Sequence, residues 1–123
     1  MKKMLLAAAL LAAGTLAAHA EPFQTVSTAK GDVLAGDSGM TLYTFRNDKE
    51  GMSNCYDACA NNWPPYIAEA GAEPMDGYSL VERKDGSKQW AKGGMPLYFW
   101  VKDMNEGDTT GDGVNGVWDV AKP

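Results

Sequence analysis

The chain repeats a segment of itself, and this duplication limits the folds available to it more than any other feature. The run 39–48 returns as the run 94–103 without a gap. At the same offset, Asp57 matches Asp112 and Trp63 matches Trp118. A match that continues from a strand-like run through a loop to a tryptophan indicates a duplicated supersecondary unit. We expect one domain with two similar repeat units, at about residues 23–66 and 78–121.

The first twenty residues have the three parts of a secretory signal peptide. Lys2 and Lys3 precede an apolar run, and the run closes on the small-residue triplet Ala18-His19-Ala20. The run is too short to span a membrane, and no later segment reaches the length that a transmembrane helix requires. We therefore expect a leader at residues 1–20 and an exported soluble domain at residues 21–123.

Charge and composition narrow the possible functions. The chain has 11 Lys and Arg, 16 Asp and Glu and 1 His. Lys2, Lys3 and His19 lie in the leader, so the mature domain is more acidic than the whole chain and has no histidine. Its negative charge argues against nucleic acid or anionic lipid as a partner. The lack of histidine excludes histidine-based triads, zinc sites with histidine ligands and haem attachment of the Cys-x-x-Cys-His type, which favours a non-catalytic protein.

Cys55 and Cys59 are the two cysteines of the chain. In an oxidising compartment, a pair this close is most simply a structural disulfide. A thiol–disulfide catalyst, the alternative, typically has two residues between its cysteines and a lowered thiol pKa. Here three residues intervene and one is acidic, Asp57, so redox catalysis is the weaker interpretation.

Short strand-like runs separated by turn residues predict a small, mainly β, antiparallel fold built from the two repeat units. The predicted strands are 25–29, 32–35, 41–45, 78–83, 87–91, 96–101 and 117–120. The clearest hairpin turns at Asp85-Gly86, because this pair supplies the positive φ that a tight turn needs. Ser53 can cap one short helix from Asn54 to about Asn62, which would carry both cysteines and end before Pro64.

The duplicated run contains a motif with a tyrosine, an aromatic residue and an aspartate. Its copies are Tyr43, Phe45 and Asp48, and Tyr98, Trp100 and Asp103. With the cysteine pair, Trp63-Pro64-Pro65 and the run from Gly111 to Trp118, this resembles the exported bacterial family of predicted lipoproteins with a Tyr-x-(Phe/Trp/Tyr)-x-x-Asp motif, also called the secreted repeat of unknown function. The resemblance covers nearly all of the mature chain and implies a periplasmic or secreted bacterial protein without an established activity. The chain lacks the cysteine that would carry a lipid at the cleavage point.

Each motif position has two interpretations. Aromatic residues two apart point to one face of a strand, where they form either a core or an exposed platform for a sugar or another flat ligand. Asp48 and Asp103 either accept backbone N–H groups in the loops that follow them, or form a carboxylate pair suited to acid–base chemistry or a cation. Duplication alone produces symmetric aspartates, so loop bracing is the preferred interpretation.

The acidic loop near the C-terminus partly matches a calcium-binding loop. Counted from Asp108, oxygen-bearing side chains fall at the expected positions, with Gly113 at the sixth. The candidate ligands are Asp108, Thr110, Asp112 and Asp119. No helix pair is predicted around the loop, so calcium is a secondary hypothesis and no other cofactor is expected.

Together these patterns indicate an exported, non-catalytic binding or envelope-associated module, whose partner is an envelope protein or a small ligand. Two alternatives stay open. One is an enzyme or redox factor that uses Cys55 and Cys59 or Asp48 and Asp103. The other is a module stabilised by calcium through the 103–119 loop.

Overall fold

The computed structural model describes residues 21–123, and the predicted signal peptide lies outside that range. The elements are β1 (Gln24–Thr28), β2 (Gly31–Ala35), β3 (Tyr43–Phe45), α1 (Ala58–Asn62), β4 (Tyr78–Glu82), β5 (Lys88–Lys92), β6 (Met95–Pro96), a 3-10 turn (Val114–Gly116) and β7 (Trp118–Val120). The predicted small, mainly β fold is confirmed. No helix in this part of the chain is long and apolar enough to cross a membrane.

The strands form three small antiparallel sheets, ordered β1-β2, β3-β7 and β4-β5-β6. The predicted hairpin at Asp85-Gly86 is present, with Leu80 opposite Trp90. Gly86 has φ 89°, a conformation that L side chains rarely adopt. The sequence therefore predicted the local pairing of β4 and β5 because the turn residues determine it.

The two repeats are interlocked rather than placed side by side. Strand β3 of the first repeat pairs with β7 of the second, with Tyr43 opposite Val120. The equivalent pairing joins Tyr98 of the second repeat to Pro65 at the end of the first. Each half of the fold is thus completed by the last segment of the other repeat.

Equivalent backbone hydrogen bonds occur in both halves. In one half, Leu42 N–H donates to Leu34 C=O (2.9 Å), Ala121 N–H to Leu42 C=O (2.8 Å) and Leu34 N–H to Ala121 C=O (2.9 Å). The other half repeats this ring of three bonds, at 2.9–3.0 Å, with Leu97, Trp90 and Tyr66. The core consists of two clusters of buried side chains. The first contains Leu34, Leu42, Tyr66, Trp90, Leu97 and Ala121, and the second Tyr43, Phe45, Cys55, Trp63, Tyr98 and Trp118.

Two predicted elements are shortened by four residues each in the structure, the helix and the strand 96–101. Helix α1 begins at Ala58 instead of Asn54, because Asp57 has φ 55° and cannot continue a right-handed helix. Cys59 therefore lies on the helix and Cys55 precedes it, and Ser53 does not cap it. The predicted strand 96–101 is reduced to β6, since the residues after Pro96 bond to segments of the first repeat in single bridges.

Candidate functional site: the cluster between the two repeats

The two motif copies meet at their tyrosines. Tyr43 N–H donates to Tyr98 C=O at 2.8 Å, and Tyr98 N–H donates to Tyr43 C=O at 3.0 Å. Both side chains are fully buried. This reciprocal pair lies where the two repeats cross, and it relates equivalent residues in the manner of a twofold axis.

Each tyrosine binds the aspartate of the other motif copy. Tyr43 Oη donates to Asp103 Oδ2 at 2.6 Å, and Tyr98 Oη donates to Asp48 Oδ2 at 2.6 Å. Burial raises the pKa of both phenols well above the ordinary value, and the carboxylate partners raise it further. The two hydrogen bonds therefore join the repeats through neutral phenols.

The second oxygen of each carboxylate braces the loop that follows it. Asp48 Oδ1 accepts the N–H of Asn54 at 2.6 Å. Asp103 Oδ1 accepts the N–H and the hydroxyl of Thr110, at 3.0 and 2.6 Å. These are the bonds that the loop-bracing interpretation requires. The two aspartates bind different tyrosines and different loops, so each carboxylate is already satisfied within the fold.

Opposing effects of burial and of hydrogen bonding set the pKa of Asp48. Burial raises it above the ordinary value for a carboxyl group, and this effect is larger than the opposing ones. The hydrogen bonds from Tyr98 and Asn54 and the nearby Arg83 charge act in the lowering direction. Asp48 is 7% exposed, so it is closed off from bulk water.

Four aromatic rings from both repeats form one continuous stack. Trp63 and Trp118, which are equivalent residues, lie parallel with their centroids 3.8 Å apart. Trp100 stacks on Trp63 at 3.9 Å, and Phe45 stacks on Trp118 at 4.3 Å. Phe45, Trp63 and Trp118 are at most 9% exposed, so they form a core and not an exposed platform.

The two repeats differ at one position of the stack, where the second repeat has an indole N–H and the first has none. Trp100 occupies the position of Phe45, and its Nε1 is buried without a hydrogen-bond partner within residues 21–123. A buried unpaired donor is unfavourable, and a phenylalanine at the same position has none.

Sequence reasoning missed Arg83, which is 7% exposed. Its guanidinium donates to Ser53 Oγ (3.0 Å), Gln89 Oε1 (2.8 Å) and Cys55 C=O (2.8 Å). Ser53 Oγ lies 2.6 Å from Tyr98 Oη, so Arg83 is linked to the tyrosine–aspartate pair. The alternation of side chains along a strand indicates that Arg83 can be buried, because it is two residues after the buried Val81 and so points to the same side. An arginine next to a turn is more commonly exposed, so the alternation alone does not predict that Arg83 is buried.

The cysteine pair is a disulfide, as predicted. Cys55 is fully buried, and its carbonyl is the one that binds Arg83. The disulfide therefore restrains the loop whose carbonyl group binds the buried guanidinium of Arg83. No free cysteine is present in the described domain.

The four candidate calcium ligands bind other groups of the protein. Asp108 Oδ2 accepts the N–H groups of Met104 and Asn105 at 2.8 and 2.9 Å, and these bonds lower the pKa of Asp108. Thr110 uses its hydroxyl on Asp103.

The other two candidate ligands are engaged in a similar way. Asp112 accepts the N–H of Val120 at 3.0 Å and pairs with Lys30 at 3.1 Å. Asp119 accepts two hydrogen bonds of 2.8 Å from Arg46, which lower the pKa of Asp119. Among residues 21–123, no three acidic, cysteine or histidine side chains are grouped as metal ligands. The loop is closed by internal bonds, and the structure does not bring the predicted ligand set together.

The chain matches a protein-family model over most of its described residues. The model of a secreted repeat of unknown function matches residues 24–66 and again residues 79–122. No curated protein and no solved structure matches the chain.

Proposed function

Since the chain belongs to the family of secreted repeats of unknown function, we propose that it is an exported, non-catalytic binding or envelope-associated module. One observation carries the proposal. The reactive side chains of both motif copies are buried and hydrogen-bonded to each other. Groups satisfied in this way rigidify a fold and are not free to attack a substrate.

In this proposal the six motif residues join the repeats, and recognition takes place on the exposed surface outside this cluster. The module works in the bacterial periplasm or outside the cell. Its ligand is a small molecule or an envelope protein, since the acidic domain does not suit nucleic acid.

Thermal unfolding of residues 21–123 tests the proposal against its alternatives. The midpoint is measured with peptidoglycan fragments and with other soluble envelope components, because a ligand that binds the native state raises the midpoint. The matched control is the double variant Asp48→Asn, Asp103→Asn. Relative to its own baseline, it should give the same rise, because neither carboxylate touches the ligand. Loss of the ligand response in this folded variant would instead favour a carboxylate-based site.

The same assay separates the calcium and redox alternatives. We expect no change in the midpoint on adding calcium or EDTA, because the oxygens of the acidic loop are already bonded. A rise with calcium that disappears in Asp108→Ala would favour the calcium-stabilised module. Catalysed reduction of a disulfide substrate by the wild type, absent when both cysteines are replaced by serine, would favour the redox factor.

A further inference from the structure

We propose that the Cys55–Cys59 disulfide is a redox-sensitive switch. While the disulfide is formed, the segment before α1 is held as a turn. After a dithiol reduces the disulfide to two thiols, the same segment joins α1 as helix. The cysteine pair is then neither a purely structural link nor a catalyst, because the disulfide is the group acted on and the fold responds to its state. The proposal does not depend on any ligand.

Asp57 has a backbone conformation that is unfavourable for an aspartate. Its φ is 55° and its ψ is −124°, the angles of the first central position of a type II′ turn, where glycine dominates. The side chain is exposed and makes no capping hydrogen bond, so it does not offset the unfavourable backbone. Asp57 lies between the two cysteines, and the disulfide closes the loop that contains it. The disulfide therefore holds this turn in place.

The sequence around the turn favours a helix. Ser53 can cap a helix that starts at Asn54, and Cys55 N–H already donates to Ser53 Oγ at 3.3 Å, a bond of the kind that an N-cap residue accepts. Helix α1 begins at Ala58, directly after the turn. Within residues 54–62, Asp57 is the residue with a positive φ. Rotation of this one residue into the helical region would extend α1 back by one turn.

The disulfide and the extended helix exclude each other. Residues four apart on a regular helix have their Cβ atoms about 5–6 Å apart. A disulfide brings the two Cβ atoms to about 3.5–4.5 Å. A regular helix through both Cys55 and Cys59 can therefore form only after the bond between their sulfur atoms is broken.

One carbonyl group changes its partner between the two states. In the disulfide form, Cys55 C=O accepts a hydrogen bond of 2.8 Å from Arg83 Nη2. Cys59 N–H donates to Tyr56 C=O at 3.1 Å. In a helix that starts at Asn54, Cys55 C=O accepts the N–H of Cys59, four residues on. Reduction therefore takes this acceptor away from Arg83.

Arg83 passes the change to the contact between the repeats. Its guanidinium is buried and also donates to Ser53 Oγ at 3.0 Å. Ser53 Oγ lies 2.6 Å from Tyr98 Oη, and Tyr98 binds Asp48 of the other motif copy. A buried charge that loses an acceptor is destabilised unless it moves. Reduction therefore loosens the Tyr98–Asp48 side of the inter-repeat contact while the domain stays folded.

Reduction begins at Cys59, because Cys59 is partly exposed and Cys55 is fully buried. A thiolate of the dithiol attacks Cys59 Sγ, the bond between the two sulfur atoms breaks, and Cys55 leaves as a thiolate that takes up a proton. The second thiol of the reductant then attacks the mixed disulfide and releases Cys59, which also takes up a proton. Two electrons and two protons pass to the cysteine pair, and the reductant becomes a disulfide.

The first test looks for the helix by NMR in residues 21–123, with and without dithiothreitol. On reduction, residues 54–57 should acquire helical chemical shifts. The backbone N–H groups of Tyr43 and Tyr98 should exchange with solvent faster than in the oxidised domain. Residues 54–57 that stay non-helical in the reduced domain would overturn the proposal. Global unfolding on reduction would also overturn it, since a switch requires two folded states.

The second test compares glycine and alanine at one position. Asp57→Gly permits the turn and weakens the helix, so its disulfide should be harder to reduce, whereas Asp57→Ala should make reduction easier. In mixtures of reduced and oxidised dithiothreitol, the equilibrium constants of the two variants should differ by about tenfold or more.

Asn61 provides the matched control, because it is exposed and lies in α1. It is helical in both states of the switch, so Asn61→Gly and Asn61→Ala should be reduced at the same equilibrium. Equal equilibria for Asp57→Gly and Asp57→Ala would show that the turn is not under strain and would overturn the proposal.

Discussion

Trp63 and Trp118 lie face to face, with ring centroids 3.8 Å apart and planes 3° from parallel. The two residues are equivalent in the duplicated sequence, and they come from different repeats. Their contact therefore lies at the centre of the interface between the two repeats of the chain. The stability of the whole domain should depend on it.

We expect Trp63→Ala and Trp118→Ala to lower the free energy of unfolding by similar amounts, about 3–5 kcal/mol each. Both rings are buried, and each stacks on the other and on one further aromatic ring. Chemical denaturation followed by circular dichroism measures the change. A variant of either residue with wild-type stability would show that the stack is not central to the fold.

Trp100→Phe should behave differently from those two substitutions. It keeps a ring on Trp63, copies the phenylalanine present at position 45, and removes an indole N–H that is buried and unpaired in the described domain. The lost apolar area and the removed unpaired donor act in opposite directions, so the net change should be within about 1 kcal/mol. A loss comparable to that of Trp63→Ala would mean that the Nε1 proton has a partner.

The bond between Tyr98 and Asp48 should be strongly coupled in a double-mutant cycle. Tyr98→Phe and Asp48→Asn each weaken the same 2.6 Å bond, so the double variant should lose less than the sum of the single losses. For a hydrogen bond to a charged group we expect a coupling of about 1.5–3 kcal/mol. Tyr78→Phe is the control, because its hydroxyl makes no hydrogen bond within residues 21–123. Additive losses at Tyr98 and Asp48 would contradict the assignment.

Alkaline pH should destabilise the domain through its buried phenols, of which Tyr43 and Tyr98 are the most deeply buried. An unfolded tyrosine has a pKa of about 10, and burial raises the pKa of Tyr43 and Tyr98 in the folded state. Above about pH 10 the unfolded chain releases protons that the folded chain retains, so stability is full below that pH and falls above it. Each of the two tyrosines should contribute a loss of roughly 1.4 kcal/mol per pH unit.

Denaturation curves between about pH 8 and pH 11 measure this slope. Burial also raises the pKa of Tyr66 and Tyr78, which add to the slope. Tyr98→Phe removes one of the titrating groups and should reduce the slope. The absorbance of tyrosinate should report Tyr43 and Tyr98 only as the protein unfolds. Ionisation of every tyrosine in the native protein would contradict the prediction.

Loss of the disulfide should affect the site of Arg83 as well as the unfolded chain. The chain-entropy model gives about 2 kcal/mol for so short a loop. Cys55 also supplies a carbonyl to Arg83, so the loss should be larger than this and should partly overlap with that of Arg83→Lys. Denaturation of the Cys55→Ser, Cys59→Ser variant, with and without Arg83→Lys, measures the overlap. Additive losses in the free energy of unfolding would show that the disulfide and Arg83 stabilise the domain independently.

Local chemistry explains which elements could be predicted. Asp85-Gly86 specifies its hairpin because glycine adopts the required φ, and the spacing of Cys55 and Cys59 permits a bridge in an exported protein. The start of α1 was predicted too early because the positive φ of Asp57 is not visible in the sequence. Arg83 was missed because its burial depends on groups from two other segments.

The sequence by itself determined the duplication, because matching residues can be compared directly. It also determined the mainly β character, the turns and the disulfide, since each of these depends on residues that are close along the chain. Only the tertiary structure decided that Tyr43 binds Asp103 and that Tyr98 binds Asp48, across separations of 60 and 50 residues. It also decided that the acidic loop closes on its own backbone and on Lys30. A carboxylate takes whichever donors the folded chain brings to it, and those donors lie on segments that are distant in sequence.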